Sequence, residues 1–224
     1  MKGPRKALLS WSSGKDSAWA LHRLRADPGI EVVGLLTTVN QAAGRVAMHA
    51  VREALLGRQA ASVGLPLWPV PIPSPCSNAE YQAAMTRVVT RAVAEGIEVV
   101  AFGDLFLQDV RAYREQQLAG SGLDPVFPIW GLDTAGLARE MVAAGLRARV
   151  TCIDPSRLAP SFAGRLFDDA FLDALPAGVD PCGEHGEFHT FAFSGPMFSE
   201  PIPVALGAVV ERDGFHFADL LPGA

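Results

Sequence analysis

Alternation governs the first hundred residues. Short apolar runs suited to burial on both faces are separated by stretches whose apolar residues recur at helical spacing, and few architectures accept that order. Ala7-Leu8-Leu9-Ser10-Trp11 reads as a buried strand. Ser17 to Arg25, carrying Trp19, Ala20, Leu21 and Leu24, reads as a helix stopped by Asp27-Pro28-Gly29. Ile30 to Val39 is a second strand, rich in β-branched residues. Val46 to Val63 predicts a helix closed by Gly64. Leu65 to Ile72 predicts a strand that Pro66, Pro69 and Pro71 confine to an edge. Asn78 is placed to cap a helix that runs to Glu95 and ends at Gly96, and Ile97 to Phe102 is a further buried strand. This order predicts an α/β, Rossmann-like fold: a mainly parallel sheet with helices on both faces, and ligands at the carboxyl ends of the strands. Ser12-Ser13-Gly14, Thr37-Thr38 and Gly103-Asp104 then share one rim.

The second half changes character. Gln108 to Leu118 and Thr134 to Ala144 read as helices, and Ala148 to Ile153 as a strand. Residues 154–187 are loop-rich, with one short helix near Asp168 to Leu175. Phe188 to Phe193 and Val204 to Arg212 are β-like, and Asp213-Gly214 before Phe215 to Leu220 is a hairpin signal. We expect an N-terminal α/β domain over residues 1–124 and a smaller C-terminal α+β domain over residues 125–224.

Charge and cysteine usage narrow the partners. Acidic residues outnumber basic ones by 24 to 19, with no basic run, which argues against a nucleic-acid partner held by phosphate contacts. The three cysteines, Cys76, Cys152 and Cys182, form no C-x-x-C pair, which argues against a disulfide framework or a cysteine zinc site and suits a reducing cytoplasm. No apolar stretch reaches the roughly 18 residues of a membrane helix. The apolar run after the basic Met1–Lys6 segment stops at Trp11, short of a secretory leader. A soluble, cytoplasmic chain is expected.

The most informative segment is Ser12-Ser13-Gly14-Lys15-Asp16-Ser17, between a buried strand and a helix. Small residues let backbone N–H groups approach an anion, and the helix start adds a favourable dipole. Lys15 would supply a mobile positive charge for phosphate. Asp16 would orient that lysine or help hold magnesium, and Ser17 would cap the helix and bond a phosphate oxygen. The segment is not a Walker A loop, which needs glycine at Leu9 and Ser or Thr at Asp16. Nor is it G-x-G-x-x-G, since Gly14 is its only glycine. The alternative is an ordinary capped strand–helix turn. Ser12 to Ser17 resembles the S-G-G-x-D-S signature of the PP-loop ATP pyrophosphatases, the adenine nucleotide α-hydrolase-like group, with Ser13 where glycine is usual. Serine keeps the backbone donor and serves there if the position does not require a positive φ. The resemblance implies cleavage of ATP between its α- and β-phosphates.

A second block, Cys182-Gly183-Glu184-His185-Gly186-Glu187-Phe188-His189-Thr190, packs two acids and two histidines between a Gly/Pro loop and a strand. On a strand Glu187 and His189 share a face. With Glu184 they could bind magnesium, an amine or a carboxylate-bearing substrate; a polar turn entering a strand is the alternative. The block is similar to G-E-N-G-E-F-H-T of the diphthine–ammonia ligase family, with His185 in place of asparagine. Phe102-Gly103-Asp104 with Asp109, Arg111 and Arg114, and Pro128-Ile129-Trp130-Gly131, resemble the same family. What the resemblance implies is an ATP- and Mg²⁺-dependent ligase. A carboxylate is adenylated with release of pyrophosphate, then amidated by ammonia with release of AMP. The family acceptor is diphthine on elongation factor 2. Only Lys2, Lys6 and Lys15 are lysine among 19 basic residues, a bias of GC-rich coding that points to a bacterial source and to a small-molecule carboxylate instead. No segment is left over for a glutaminase, so ammonium is the expected nitrogen donor, and a homodimer is among the expected assemblies.

On that reading Ser12, Ser13, Gly14, Lys15, Asp16, Ser17, Thr38, Gly103 and Asp104 hold the nucleotide, with Asp16 and Asp104 toward the metal. His49, Arg52, Glu184, His185, Glu187, His189 and Thr190 meet the acceptor. Lys15, Glu187 and His189 carry catalysis. Cys182 is a buried thiol, not a nucleophile. The rival class is a non-catalytic ATP- or AMP-binding regulator on the same fold, for which the second block would be superfluous.

Overall fold

In the computed structural model, which describes residues 3–40, 44–46 and 51–223, the first half runs β1 (Arg5–Ser10), α1 (Lys15–Arg25), β2 (Ile30–Asn40), β3 (Arg45–Val46), α2 (Glu53–Val63), β4 (Leu67–Ile72), α3 (Asn78–Ala94), β5 (Val99–Ala101), α4 (Gln108–Leu118) and β6 (Asp124–Val126). The rest runs α5 (Thr134–Ala143), β7 (Arg147–Ile153), β8 (Leu166–Phe167), α6 (Asp169–Asp173), β9 (Phe188–Ser194), β10 (Val204–Arg212) and β11 (Phe215–Pro222).

β1 is apolar in the middle because it is central. It pairs in parallel with β2 on one side and β5 on the other, and Ala7, Leu8 and Leu9 have no solvent exposure. β4 joins β2 in parallel and β6 joins β5 in parallel. Both outer strands contain proline, which an edge tolerates because one side of it donates no ladder bonds. Alternate side chains of β1 then feed two cores. Leu8 joins Leu36, Val100, Ala84, Ala92 and Leu118 under α3 and α4. Leu9 joins Leu35, Ala101, Trp19, Leu21 and Leu55 under α1 and α2, and this core continues without a break into Val150, Phe188 and Phe191 of the second sheet. That sheet is antiparallel, with β7 pairing β8, β9 and β11, and β11 pairing β10. The fold class expected from the alternation is the one observed.

Several local expectations are corrected. The helix expected from Val46 starts at Glu53, because Arg45 and Val46 instead fold back on Asn40 and Val39 as β3. His49 lies outside the described residues. The cap of α3 is Ser77 and not Asn78. Its hydroxyl accepts from the Glu80 N–H at 3.3 Å, while the Glu80 carboxylate accepts from the Ser77 N–H at 2.9 Å, a reciprocal capping box. β5 is shorter than the Ile97–Phe102 run, and β6, which spans residues 124 and 125, belongs to the first sheet.

Candidate active site

The exit of β1 turns into α1 through Ser12-Ser13-Gly14, as an anion-binding loop requires, but the details differ from expectation. Ser13 adopts φ of +71°, a left-handed conformation, so the glycine-to-serine departure falls at a position that does favour glycine. Its hydroxyl is buried without a protein partner. Gly14 and not Ser17 is the N-cap, and no side chain caps the helix. The Ser17 hydroxyl donates back to the Gly14 carbonyl at 3.0 Å and lies 3.2 Å from the Ser12 hydroxyl.

Both sheets shape this loop. The Ser13 carbonyl accepts from the Ala192 N–H of β9 at 2.9 Å and from the Gln59 side-chain amide of α2, also at 2.9 Å. The same amide donates to the Ala192 carbonyl at 2.6 Å, and the Gln59 oxygen accepts from the Trp11 indole at 2.9 Å. The Lys15 N–H donates to the Thr190 hydroxyl at 3.1 Å. Gln59 belongs to neither of the two sequence blocks. Its signal is a glutamine on the apolar stripe of α2, in step with Leu55, Leu56, Ala60 and Val63.

Lys15 is not a mobile surface lysine. Its side chain is 2% exposed, and its ammonium donates to the Cys182 carbonyl and, at 2.9 Å, to the Asp16 carboxylate. The ammonium also lies 5.2 Å from the centroid of the Phe188 ring and 5.5 Å from that of Phe167. Burial works to lower its pKa, but the acidic surroundings, Asp16 foremost, together outweigh it and leave the pKa raised, so the group stays cationic. Burial in turn raises Asp16, against the attraction of Lys15.

A cleft of about 290 Å³ lies between the two blocks, lined on one side by Ser12, Lys15, Asp16, Ser17, Gly103 and Asp104 and on the other by Glu184, Gly186, His189 and Thr190. Gly103 sits close against this loop, since a β-carbon would meet the Asp16 backbone at 3.0 Å and push the loop by a few tenths of an ångström. Gly183, at φ of +71°, has no room, because a β-carbon would lie 2.8 Å from the Phe188 carbonyl oxygen. The Glu184 carboxylate accepts from the Leu105 N–H at 2.7 Å, and the Leu105 carbonyl in turn accepts from the Gly131 N–H at 2.8 Å. The Pro128–Gly131 block thus steadies Glu184 from behind.

The cleft holds titratable groups displaced from their ordinary values. Burial, opposed by the Leu105 bond and reinforced by Asp16 and Asp104, lifts Glu184 to about 7. Burial, and then the Lys15 charge, push His189 down to about 4, so its imidazole is neutral at pH 7. Burial also raises Asp104, although Arg114 stands 3.5 Å from it. Cys182 is buried and its thiol is pushed up, as suits an inert residue.

Matches to known families follow the same two blocks. The Diphthamide synthase N-terminal domain matches residues 5–124, and the Diphthamide synthase C-terminal domain matches residues 133–217. The chain belongs to the diphthamide synthase family. It is 28% identical over 129 residues to the diphthine–ammonia ligase of Homo sapiens, covering 55% of this chain and 48% of that protein. It is 25% identical over 153 residues to that of Bos taurus, covering 66% and 57%. The chain spans about half the length of the curated relatives it matches.

Other residues singled out in this diphthamide synthase family member stand away from the cleft lining. Glu187 is 1% exposed and accepts from the Asp180 N–H at 3.0 Å, while its second carboxylate oxygen is buried without a partner. Arg52 is paired with Asp219 at 2.5 Å. His185 is exposed, its ring 5.1 Å from that of Phe106. Thr38 sits in β2 beside Val70 of β4. Arg114, quoted for the resemblance but not placed in the site, does line the cleft.

Proposed function

We propose that this chain activates a carboxylate with ATP and amidates it with ammonia. The observation that carries the reading is the cleft itself: a strand–loop–helix anion site faces an acid- and imidazole-bearing block that nucleotide binding alone does not need. The family match over both blocks, and the ligase name of the relatives, support it.

Backbone N–H groups at the start of α1 would cradle the phosphates, with the dipole of α1 behind them. Magnesium fits the lining. Asp16 and Asp104 are hard oxygen donors, one Asp16 oxygen is buried without a protein partner, and magnesium commonly takes one or two carboxylates together with substrate phosphates. It would supply charge neutralisation. An acceptor carboxylate oxygen attacks the α-phosphorus and pyrophosphate leaves; ammonia then attacks the acyl carbon and AMP leaves with its bridging oxygen. The amidation sheds one proton. Glu184, lifted to about 7, is suited to take it, with neutral His189 beside it. Glu187 acts here as a strut for the 180–187 loop. Lys15 serves by holding Asp16 and the Cys182 carbonyl in register, not by following the leaving group.

The acceptor is diphthine or another carboxylate, and the reaction is cytoplasmic; no helix among the described residues is long and apolar enough to cross a membrane. The test uses ATP, magnesium and ammonium chloride with a panel of a diphthine-bearing peptide and simple carboxylic acids, read by phosphorus NMR. AMP and pyrophosphate are the expected products, and without ammonium labelled pyrophosphate should exchange into ATP. ADP and phosphate in place of AMP would overturn the reading.

A further inference from the structure

Behind the nucleotide cleft lies a larger cavity of about 460 Å³, between α3 and α4 and under the parallel sheet. Leu8, Leu36 and Val100 form its floor, and Met85, Val89 and Leu118 its walls. Protein interiors close such spaces, whereas ligand pockets run from roughly 300 to 1,000 Å³ with apolar walls and a few placed polar groups. Exposed Val93 and Tyr113 stand at its mouth, so a ligand can enter without parting the sheet.

Phe102 and Arg114 line both this cavity and the cleft. Arg114 is the one cationic side chain among the described residues lining the cavity. Its guanidinium lies 5.0 Å from the centroid of the Phe102 ring, and its Nε faces Asp104 at 3.5 Å. One carboxylate partner does not exhaust the five N–H donors of a guanidinium, a group whose fork suits carboxylates. A mostly apolar chamber with a single cation, Arg114, on the wall it shares with the cleft, selects a molecule with an apolar body and a single carboxylate.

We infer that the α3–α4 cavity is the acceptor site, and that its ligand is a small carboxylic acid of apolar body whose carboxylate is drawn by Arg114 toward the nucleotide cleft. This rests on the carboxylate-activating reading above, and it makes Arg114 and the α3–α4 walls determinants of specificity. The apolar walls reject highly charged acids, and the neutral amide product loses the charge-assisted bond and departs.

The test begins with binding to the unaltered protein without nucleotide, by calorimetry, using hexanoate, 3-phenylpropanoate, their primary amides, and succinate. The acids should bind roughly tenfold or more tightly than the amides, the value of one charge-assisted bond, with succinate weakest. Arg114→Gln should bring the acids to the level of the amides. Val89→Trp, which fills the cavity, should abolish binding of both, with circular dichroism and the unfolding midpoint as fold controls. Equal affinity of acids and amides, no binding of the acids, or binding that survives in folded Val89→Trp overturns the assignment; should that variant misfold, the comparison of acids with amides decides. Pyrophosphate exchange separates this inference from the reading beneath it. Acids that bind as described but support no exchange leave the cavity site standing and remove the activation chemistry. Exchange driven by an acid that Val89→Trp does not affect does the opposite.

Discussion

Ser13 carries two costs at once: a β-carbon at φ of +71° and a buried hydroxyl with no partner. Ser13→Gly relieves both, at some expense in unfolded-chain entropy, and should raise stability by about 1 kcal/mol, seen as a higher urea midpoint. A lower midpoint would mean that the hydroxyl is bonded. Lys15 presents the opposite case. Removing it strands the Asp16 carboxylate and leaves the Cys182 carbonyl unmatched. Lys15→Met should therefore cost about 3 kcal/mol, the low end for a broken buried pair because the Asp16 side chain keeps 26% exposure. Lys6→Met, on an exposed side chain, should change stability by no more than about 0.5 kcal/mol. Equal effects of the two would show that Lys15 makes no buried pair.

Helix α3 depends visibly on its start, since Ala84 and Ala92 are its only buried side chains and its N-terminus carries a reciprocal capping box. Ser77→Ala should cost about 1 kcal/mol, while Asn78→Ala, at the first helical position, should be close to neutral. Thermal unfolding of the two variants decides which residue is the cap. The contrast shows what the sequence makes legible. α1, α4 and the β10–β11 hairpin were readable because apolar period and punctuation agree: Asp27-Pro28-Gly29 follows α1, and Asp213 and Gly214 both take the positive φ of a tight hairpin turn. The start of α2 is not, because Arg45 and Val46 fold straight back on the end of β2, and that short antiparallel pairing overrides a helical pattern. β6 and β8, three and two residues long, are too short to show any period. The two chemical blocks stood out by residue type. That Lys15 is buried could not be seen, since the atoms that enclose it come from Cys182 and Phe188, more than 160 positions away.

Stability of the molecule as a function of pH should carry the signature of the cleft. His189 titrates near 4 when folded, below its ordinary 6.5, so the unfolded chain binds more protons in between and stability rises with pH across that window. Glu184 titrates near 7 when folded, above its ordinary 4.5, so the native state binds more protons in between and stability falls as pH rises. From pH 4.5 to 6.5 the two contributions oppose each other. Glu184→Gln should steepen the rise of the urea midpoint over that interval, and His189→Gln should flatten or invert it; slopes identical to the parent protein would show that neither group is shifted. The Ser13 carbonyl is gripped by Gln59 from α2 and by Ala192 from β9, so the β1–α1 loop has one anchor on each side of any crossover placed between them. Chimeras that exchange C-terminal halves between relatives replace one of those anchors, and inherit a working loop only when the incoming strand presents its backbone to residue 13 in the same register.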